Sequence, residues 1–392
     1  MSRPQPPQFL SNLHIPPSPH TVSVTLLQTG TIRNVPTSDF FSPPIPGHET
    51  LAAPVFSFLI QHPSPTGGPP QRLLFDLGTR HDWRHLAPPV LHTLTTTAYH
   101  PHTPTSLPTL LSSHGIPPSS ITALLWSHPH FDHTGDPSLF PSSVPLIIGP
   151  GYGPILPPSP SSPLLESDLA NREVIELDFS PTALKIGPFP AIDHFTNGSL
   201  YLLHTPGHAP GHICALARVT STPDPDSFVL LAGDAFHHPG ELRPSKYLPL
   251  PDIITPHPFR PLSPRSQQEE GCPRSLFTPL FSRPGGPGGG GGVTEPFYTP
   301  SGPWHLDAER ARETLRGLAE LDGMGNVLVC AAHDETVGEV VGVRREGGAV
   351  VLDGFLERGW GREVKWRFLK DFAGAVGGVL EGSVEGTGGW RD

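Results

Sequence analysis

Four short apolar runs in this sequence each stop at, or just before, a histidine or an aspartate. ITALLWSH ends at His128, SLYLLHT stops shortly before His208, SFVLLAGD ends at Asp234, and NVLVCAAHD closes on His333 and Asp334. A continuous apolar run of this length, bounded by turn residues, reads as a buried strand. Side chains offered from strand ends can converge on one point, held rigid by the core beneath them. The pattern asks for an α/β fold with a polar site at one edge of its sheets.

The rest of the chain is compatible with that frame. TVSVTLLQTG from Thr21, VFSFLIQH (55–62), RLLFDLG (72–78), VPLIIG (144–149), EVIELDF (173–179) and HICALARV (212–219) add strand-like runs. SLPTLLSSHG (106–115) reads as a short helix. LDAERARETLRGLAELDG (306–323) reads as a longer one, with Asp307 as N-cap and Leu315, Leu318 and Leu321 as its apolar stripe. VKWRFLKDFAGAV (364–376) suggests a last helix. Opening strands without a Gly-rich phosphate loop argue against a doubly wound nucleotide-binding domain.

The 54 prolines and 42 glycines make up about a quarter of the 392 residues, so part of the length is expected to be loop. Residues 1–20 read as a Pro-rich, unstructured lead-in, and 21–392 as one catalytic domain. Its stretch 260–300, with the run RPGGPGGGGG, reads as a disordered insertion. A formal charge of −11 with scattered Lys and Arg offers no basic stripe for a phosphate backbone, so nucleic acid is not an expected partner. Three distant cysteines and no C-x-x-C pair point away from a disulfide framework and towards a reducing compartment. With no signal-peptide pattern and no run of about 18 apolar residues, a cytoplasmic protein without a membrane span is the expectation. Oligomeric state is not legible.

The 22 histidines matter by position rather than by number. SHPHFDH (127–133) follows directly on a buried strand. Side chains two apart on a strand share a face, which puts His128 and His130 together. A turn just beyond brings Asp132 and His133 round as a second pair. Imidazole and carboxylate suit zinc, and also iron or manganese. Two pairs from one segment exceed the needs of a single tetrahedral ion and point to two adjacent metals. A loop of merely solvated histidines is the alternative.

HPHFDH closely resembles the signature of the metallo-β-lactamase superfamily, and supporting motifs follow in order: TPGHAPGH (205–212), LLAGDA (230–235) and AAHDE (331–335). LLFDLG (73–78) is similar to that superfamily's strand and Asp-x-Gly turn. The resemblance implies a four-layer αββα sandwich with two zinc ions per chain at one edge of its sheets. One ion would be held by His128, His130 and His208, the other by Asp132, His133 and His333, with Asp234 bridging. His212 is expected to pack or hydrogen-bond, and Asp76 to support the ligands from behind. AFHHPGEL places His237 near the position where some lactonases of the superfamily carry a substrate-facing Tyr. His237 or His238 would then meet a substrate oxygen, or else be an exposed loop residue.

Two such ions would lower the pKa of a bridging water towards neutrality and polarise a carbonyl. Asp132 could orient the resulting hydroxide and pass its proton to the leaving group. The implied reaction is hydrolysis of a lactone or related small acyl substrate. A thioesterase that releases an acyl or polyketide product is the alternative, because the sequence also resembles fungal thioesterases. Trp126, Phe131 and Phe236 fit either a hydrophobic pocket or the core. A structural zinc domain would want cysteines, and a non-catalytic descendant of the fold would be missing a ligand.

Overall fold

Leucine and phenylalanine positions that alternate along the strands decide the architecture. The computed structural model describes residues 13–64, 66–262, 270–282, 292–343 and 346–377. In chain order the main strands are β1 (Ser23–Pro36), β2 (Thr50–His62), β3 (Gln71–Phe75), β4 (His100–His102), β5 (Ala123–Leu125), β6 (Leu146–Ile148) and β7 (Val174–Glu176). They continue as β8 (Lys185–Ile186), β9 (Phe189–Asp193), β10 (Leu200–His204), β11 (Ile213–Thr220), β12 (Ser227–Leu231), β13 (Val327–Cys330) and β14 (Ala349–Val351). One eight-stranded sheet runs β14-β1-β2-β3-β5-β6-β7, with β4 also paired to β1; a six-stranded sheet runs β13-β12-β11-β10-β9-β8.

Each strand splits its apolar residues between two faces, as a period of two requires. Leu73, Phe75 and Leu125 of the first sheet pack against Leu202, Ala215 and Leu231 of the second. Their alternates Leu74, Leu124 and Leu146 face outward onto helix α2 (Leu107–Ser113), through its Leu107, Leu110 and Leu111. On the other side Tyr201, Leu216 and Leu230 meet helix α4 (Ala308–Asp322) through Leu315, Leu318 and Leu321. The layers are therefore helix, sheet, sheet, helix. Helix α1 (Pro88–Thr96) precedes α2 in the chain, α3 (Phe131–Thr134) follows it, and α5 (Glu335–Val341) and α6 (Trp360–Arg367) come after α4. Asp307 caps α4 by accepting the Arg310 N–H at 3.0 Å. The C-terminal helix starts earlier than the apolar pattern suggested, at Trp360, and tightens to a 3-10 turn at Phe368–Phe372.

Two segments read from composition as structureless are corrected. Residues 1–12 lie outside the described residues, but 13–20 are docked on the second sheet. Leu13 is buried, and the Pro16 carbonyl accepts from Arg218 Nη2 at 2.6 Å and Tyr201 Oη at 3.5 Å. A Pro-rich chain keeps its carbonyls free, and these two donors use one. Within 260–300, the stretches 263–269 and 283–291, which hold most of the glycine run, lie outside the described residues. Cys272–Pro273 pairs with Ile253–Ile254, and Phe277, Leu280, Phe281, Phe297 and Tyr298 are buried with Phe41, Trp366 and Phe372. Averaging composition over forty residues hid the aromatic clusters that flank the glycines.

A buried ion group ties the second sheet's outer helix to the C-terminal one. Arg243 forks onto Asp322 with Nε–Oδ2 at 2.8 Å and Nη2–Oδ1 at 2.6 Å, and Lys365 Nζ reaches the same Oδ1 at 2.8 Å. Burial opposes the Asp322 charge, but Arg243 and Lys365 outweigh it and hold the carboxyl well below its usual range. A depressed folded pKa means the stabilisation is present above the ordinary carboxylate pKa and is lost only as pH falls through the depressed value. Asp322→Ala leaves two cations uncompensated and is expected to lower stability by about 3–5 kcal/mol at neutral pH. Urea unfolding measures this, and a loss under about 1 kcal/mol would show that the group is not a stabilising unit.

Candidate metal centre

Every residue of the site sits a few positions beyond a strand end. β10, β12 and β13 run in the same direction, because β10 and β12 both lie antiparallel to β11 and β12 is parallel to β13. Their C-terminal ends deliver His208, Asp234 and His333 to one edge. From the facing sheet, β5 delivers His128. Here Asp76, at a left-handed φ of 59°, turns its carboxylate back under the segment. Its Oδ1 accepts the Ser127 N–H at 2.7 Å and its Oδ2 the Ser127 hydroxyl at 2.8 Å. The single turn α3 then presents Asp132 and His133 on its first residues. Gly207, at φ +132°, lets the His208 loop lie against α4, where a Cβ would come within 2.2 Å of the Ala311 nitrogen.

The seven residues singled out in the sequence come together as two groups that share one carboxylate. His128 Nε2 and His208 Nε2 each lie 3.0 Å from His130 Nδ1, and 3.7 and 3.6 Å from Asp234 Oδ2. On the other side His133 Nε2 and His333 Nε2 lie 3.2 and 3.3 Å from Asp234 Oδ1. Asp132 completes that group, its Oδ2 3.2 Å from His333 Nε2 and its Oδ1 3.8 Å from His133 Nε2.

The donor atoms fit divalent cations. Nitrogen ligands at about 2.0–2.1 Å around a tetrahedral ion stand roughly 3.3 Å apart, close to the spacing found here. His133 Nε2 and Asp234 Oδ1 are buried and have no hydrogen-bond partner, an arrangement that is costly unless something is meant to lie between them. The opposite ring atoms are held. His133 Nδ1 lies 2.8 Å from Asp76 Oδ2, and His333 Nδ1 donates to the Pro54 carbonyl at 2.7 Å. Both contacts aim Nε2 inward.

Charge balance separates the two groups. Burial keeps His128 and His208 well below the usual imidazole pKa, and keeps His130 at about 4 despite Asp132 beside it. They are neutral, as ligands must be. Burial also works against a charged His333, but Asp234 and Asp132 overcome it and push His333 up to about 10; His133 is raised in the same way. A cation entering the second group must therefore displace protons.

The surrounding histidines divide by what their nitrogens meet. His212 donates from Nδ1 to the Thr205 carbonyl at 2.9 Å and accepts the Asp234 N–H at Nε2, 3.1 Å away, so it fixes the Asp234 backbone. His237 is 4 % exposed, which removes the reading of it as an exposed loop residue. Its Nε2 lies 3.3 Å from Asp234 Oδ2, and its ring packs 4.1 Å from Phe40. His238 points elsewhere. Its Nδ1 accepts the Gly240 N–H at 3.0 Å, so Nε2 carries the proton and donates to Asp371 Oδ2 at 3.2 Å. Neither ring nitrogen is left for an ion, although His48 stands beside it. Glu241 accepts both the His237 and His238 N–H groups, at 2.7 and 3.1 Å, and thereby shapes this turn.

A pocket of about 460 Å³, counting the open solvent at its mouth, lies over the shared carboxylate, with Asp132, Asp234, His237 and His333 on its floor and Ile32, Phe40, Tyr99, Phe131 and Trp304 among its walls. Of the three aromatics suggested for such a pocket, Phe131 is there. Trp126 and Phe236 are fully buried in the two outer cores. His305, which sequence reasoning passed over, stands 5.3 Å from His208 ring to ring, with Nε2 donating to the Phe40 carbonyl at 2.8 Å. Its place two residues before the α4 N-cap was the available signal.

An αββα sandwich that gathers His and Asp donors at one edge of two facing sheets defines a class of metal-dependent hydrolases. This chain belongs to the metallo-β-lactamase superfamily, whose family pattern matches residues 52–270. It is similar to the protein named Gamma-lactamase FDB1 from Fusarium pseudograminearum (strain CS3096), 38 % identical over 368 residues that cover 91 % of this chain and 84 % of the relative. The Metallo-hydrolase mfmC of Annulohypoxylon moriforme is 39 % identical over 380 residues, covering 95 % and 92 %. A solved N-acyl homoserine lactone hydrolase superposes with a TM-score of 0.47 at 17 % identity over 80 % of this chain and 94 % of its own, too distant a likeness to speak to chemistry. Among the described residues no helix is long and apolar enough to cross a membrane.

Asp76→Asn keeps the shape but turns an amide towards His133 Nδ1, and it is expected to weaken zinc binding about 10–100-fold. Chelator competition measures this; affinity within twofold of the parent would contradict the support assigned to Asp76. Because the surrounding carboxylates raise the pKa of His133 and His333, zinc uptake is expected to release protons and to weaken as pH falls from about 8 to about 6. Calorimetry in buffers of different ionisation enthalpy reads that release, and uptake without it would contradict the charge balance described.

Proposed function

We propose that the chain is a binuclear metal-dependent hydrolase that opens a lactone or lactam ring or a similar small acyl group. The observation that carries this is Asp234: one of its oxygens faces each donor group, at the floor of an apolar pocket. The names of the relatives, a gamma-lactamase and a metallo-hydrolase, support ring-opening hydrolysis. His128, His130 and His208 would hold one ion, and Asp132, His133 and His333 the other. Zinc is the first choice for a His and Asp set without cysteine, with iron or manganese possible by the same chemistry.

When bound, the two ions supply an activated water and polarise the substrate carbonyl. The chain's own residues do the rest. Asp132 directs Oδ2 towards His333 and lines the pocket, where its carboxylate can take up a proton and hand it to the leaving group. Burial keeps the His237 pKa below its usual value, so a neutral imidazole faces the pocket and can donate a hydrogen bond to a substrate oxygen. Phe40, Phe131 and Trp304 exclude water around the reacting carbonyl, which strengthens each polar contact inside.

The test is hydrolysis of a panel of lactones, lactams and thioesters by the zinc-loaded chain. Turnover is expected on the ring substrates first, with Asp234→Ala inactive and Asp132→Asn slower by about 10²–10⁴-fold in kcat. Preference for open thioesters would favour the thioesterase alternative. Two bound metals with no turnover on any member would point to a non-catalytic descendant.

A further inference from the structure

Two apolar cavities meet along one short border. The first, of about 460 Å³ counting the open solvent at its mouth, contains His130, Asp132, Asp234 and His333. The second, of about 740 Å³ on the same measure, is lined by Val90, Leu94, Ile155 and Pro163 among others, and of the donor residues it touches only His130. His130, Phe131 and Trp304 border both, and His130 is one of the seven donor residues. Phe131 belongs to α3 and cannot move without moving Asp132 and His133. Trp304 belongs to a loop, so the indole is the partition that a change could remove.

We infer that Trp304 is the specificity-determining wall of the site: it confines the acyl substrate to the cavity over Asp234 and shuts it out of the larger one. The inference rests on the hydrolase reading above. A loop tryptophan would ordinarily sample several positions, but this one is fixed at both the side chain and the backbone. Its Nε1 donates to Tyr99 Oη at 2.6 Å, and Tyr99 donates in turn to Asp39 Oδ2 at 2.6 Å. The indole lies nearly parallel to Phe40, 9° between planes at 6.3 Å, and meets His130 edge-on at 5.4 Å.

On one side of Trp304, Ser301 N–H donates to the Phe40 carbonyl at 2.8 Å. On the other, Leu306 and Asp307 N–H donate to the His208 and Gly207 carbonyls at 2.8 and 2.9 Å. Gly302, at φ +87°, brings the loop so close to the Asp39 carbonyl that a Cβ would stand 2.3 Å from its oxygen. The loop is thus tied to the turn at 38–40 and to the loop that carries His208. A wall anchored to the metal-facing loop keeps its distance from the reacting carbonyl. A substrate with a compact ring fits beneath it, and one with a long apolar arm meets the indole.

The experiment is the chain-length profile of zinc-loaded parent, Trp304→Ala and Tyr99→Phe enzymes on γ-lactones carrying side chains from none to octyl. The readout is the ratio of kcat/KM for the longest to the shortest member, which a general loss of activity does not change. Removing the indole is expected to raise that ratio by about tenfold or more, since each added methylene that finds room in an apolar pocket contributes to discrimination. Tyr99→Phe keeps the wall but frees its pin, and is expected to shift the ratio the same way by a smaller factor; it serves as the test if Trp304→Ala does not fold. A ratio unchanged in the folded variants overturns the inference and leaves the hydrolase reading standing. No turnover by the parent of any lactone, lactam or thioester overturns both.

Discussion

Asp234 is a carboxylate buried among imidazoles, and the edge of the molecule is organised around that fact. His128, His208 and His237 stand at one oxygen and His133 and His333 at the other, all within 3.2–3.7 Å. A buried charge is costly unless it is paired and hydrogen-bonded. The fold meets that cost with geometry set far from the site. Parallel β12 and β13 bring Asp234 and His333 out side by side, and His212 grips the Asp234 backbone from behind. Asp76 does the same for the facing sheet through Ser127 and His133. Two sheets packed through a common core can hold these groups to a fraction of an ångström, which loops alone could not.

The apolar side of the site is built by different means. Its walls come from the turn at 38–40, from Tyr99, from Phe131 and from the loop that precedes α4. That loop emerges from the Pro- and Gly-rich segment whose composition suggested no structure. The strand pair Phe41–Ser42 with Thr299–Pro300 fastens its start, so the ordered end of an insertion becomes part of the pocket. The polar floor stands just beyond the strand ends, and the wall joins strand residues such as Ile32 and Ala53 to connecting segments, of which the latter can vary without disturbing the floor.

What could be read in advance follows from this division. The seven residues that the fold gathers at one edge stood out through residue type and spacing, and the strands beneath them because burial on both faces leaves uninterrupted apolar runs. The cap at Asp307 was legible for the same kind of local reason. Phe40, Tyr99, Trp304 and His305 were not, since a lone aromatic in an irregular loop carries no period to place it. Phe131 and Trp126 looked alike in sequence; only the turn after β5 sends one to the pocket and the other to the core. His237 and His238 are neighbours whose rings face different partners, Asp234 for the one and Asp371 across the fold for the other.

Anomalous diffraction from crystals grown with zinc asks most directly whether two ions share Asp234. Two peaks about 3.5–4 Å apart are expected, each within coordination distance of a different oxygen of that carboxylate. A single peak, or two peaks of which only one touches Asp234, would contradict the shared-carboxylate centre.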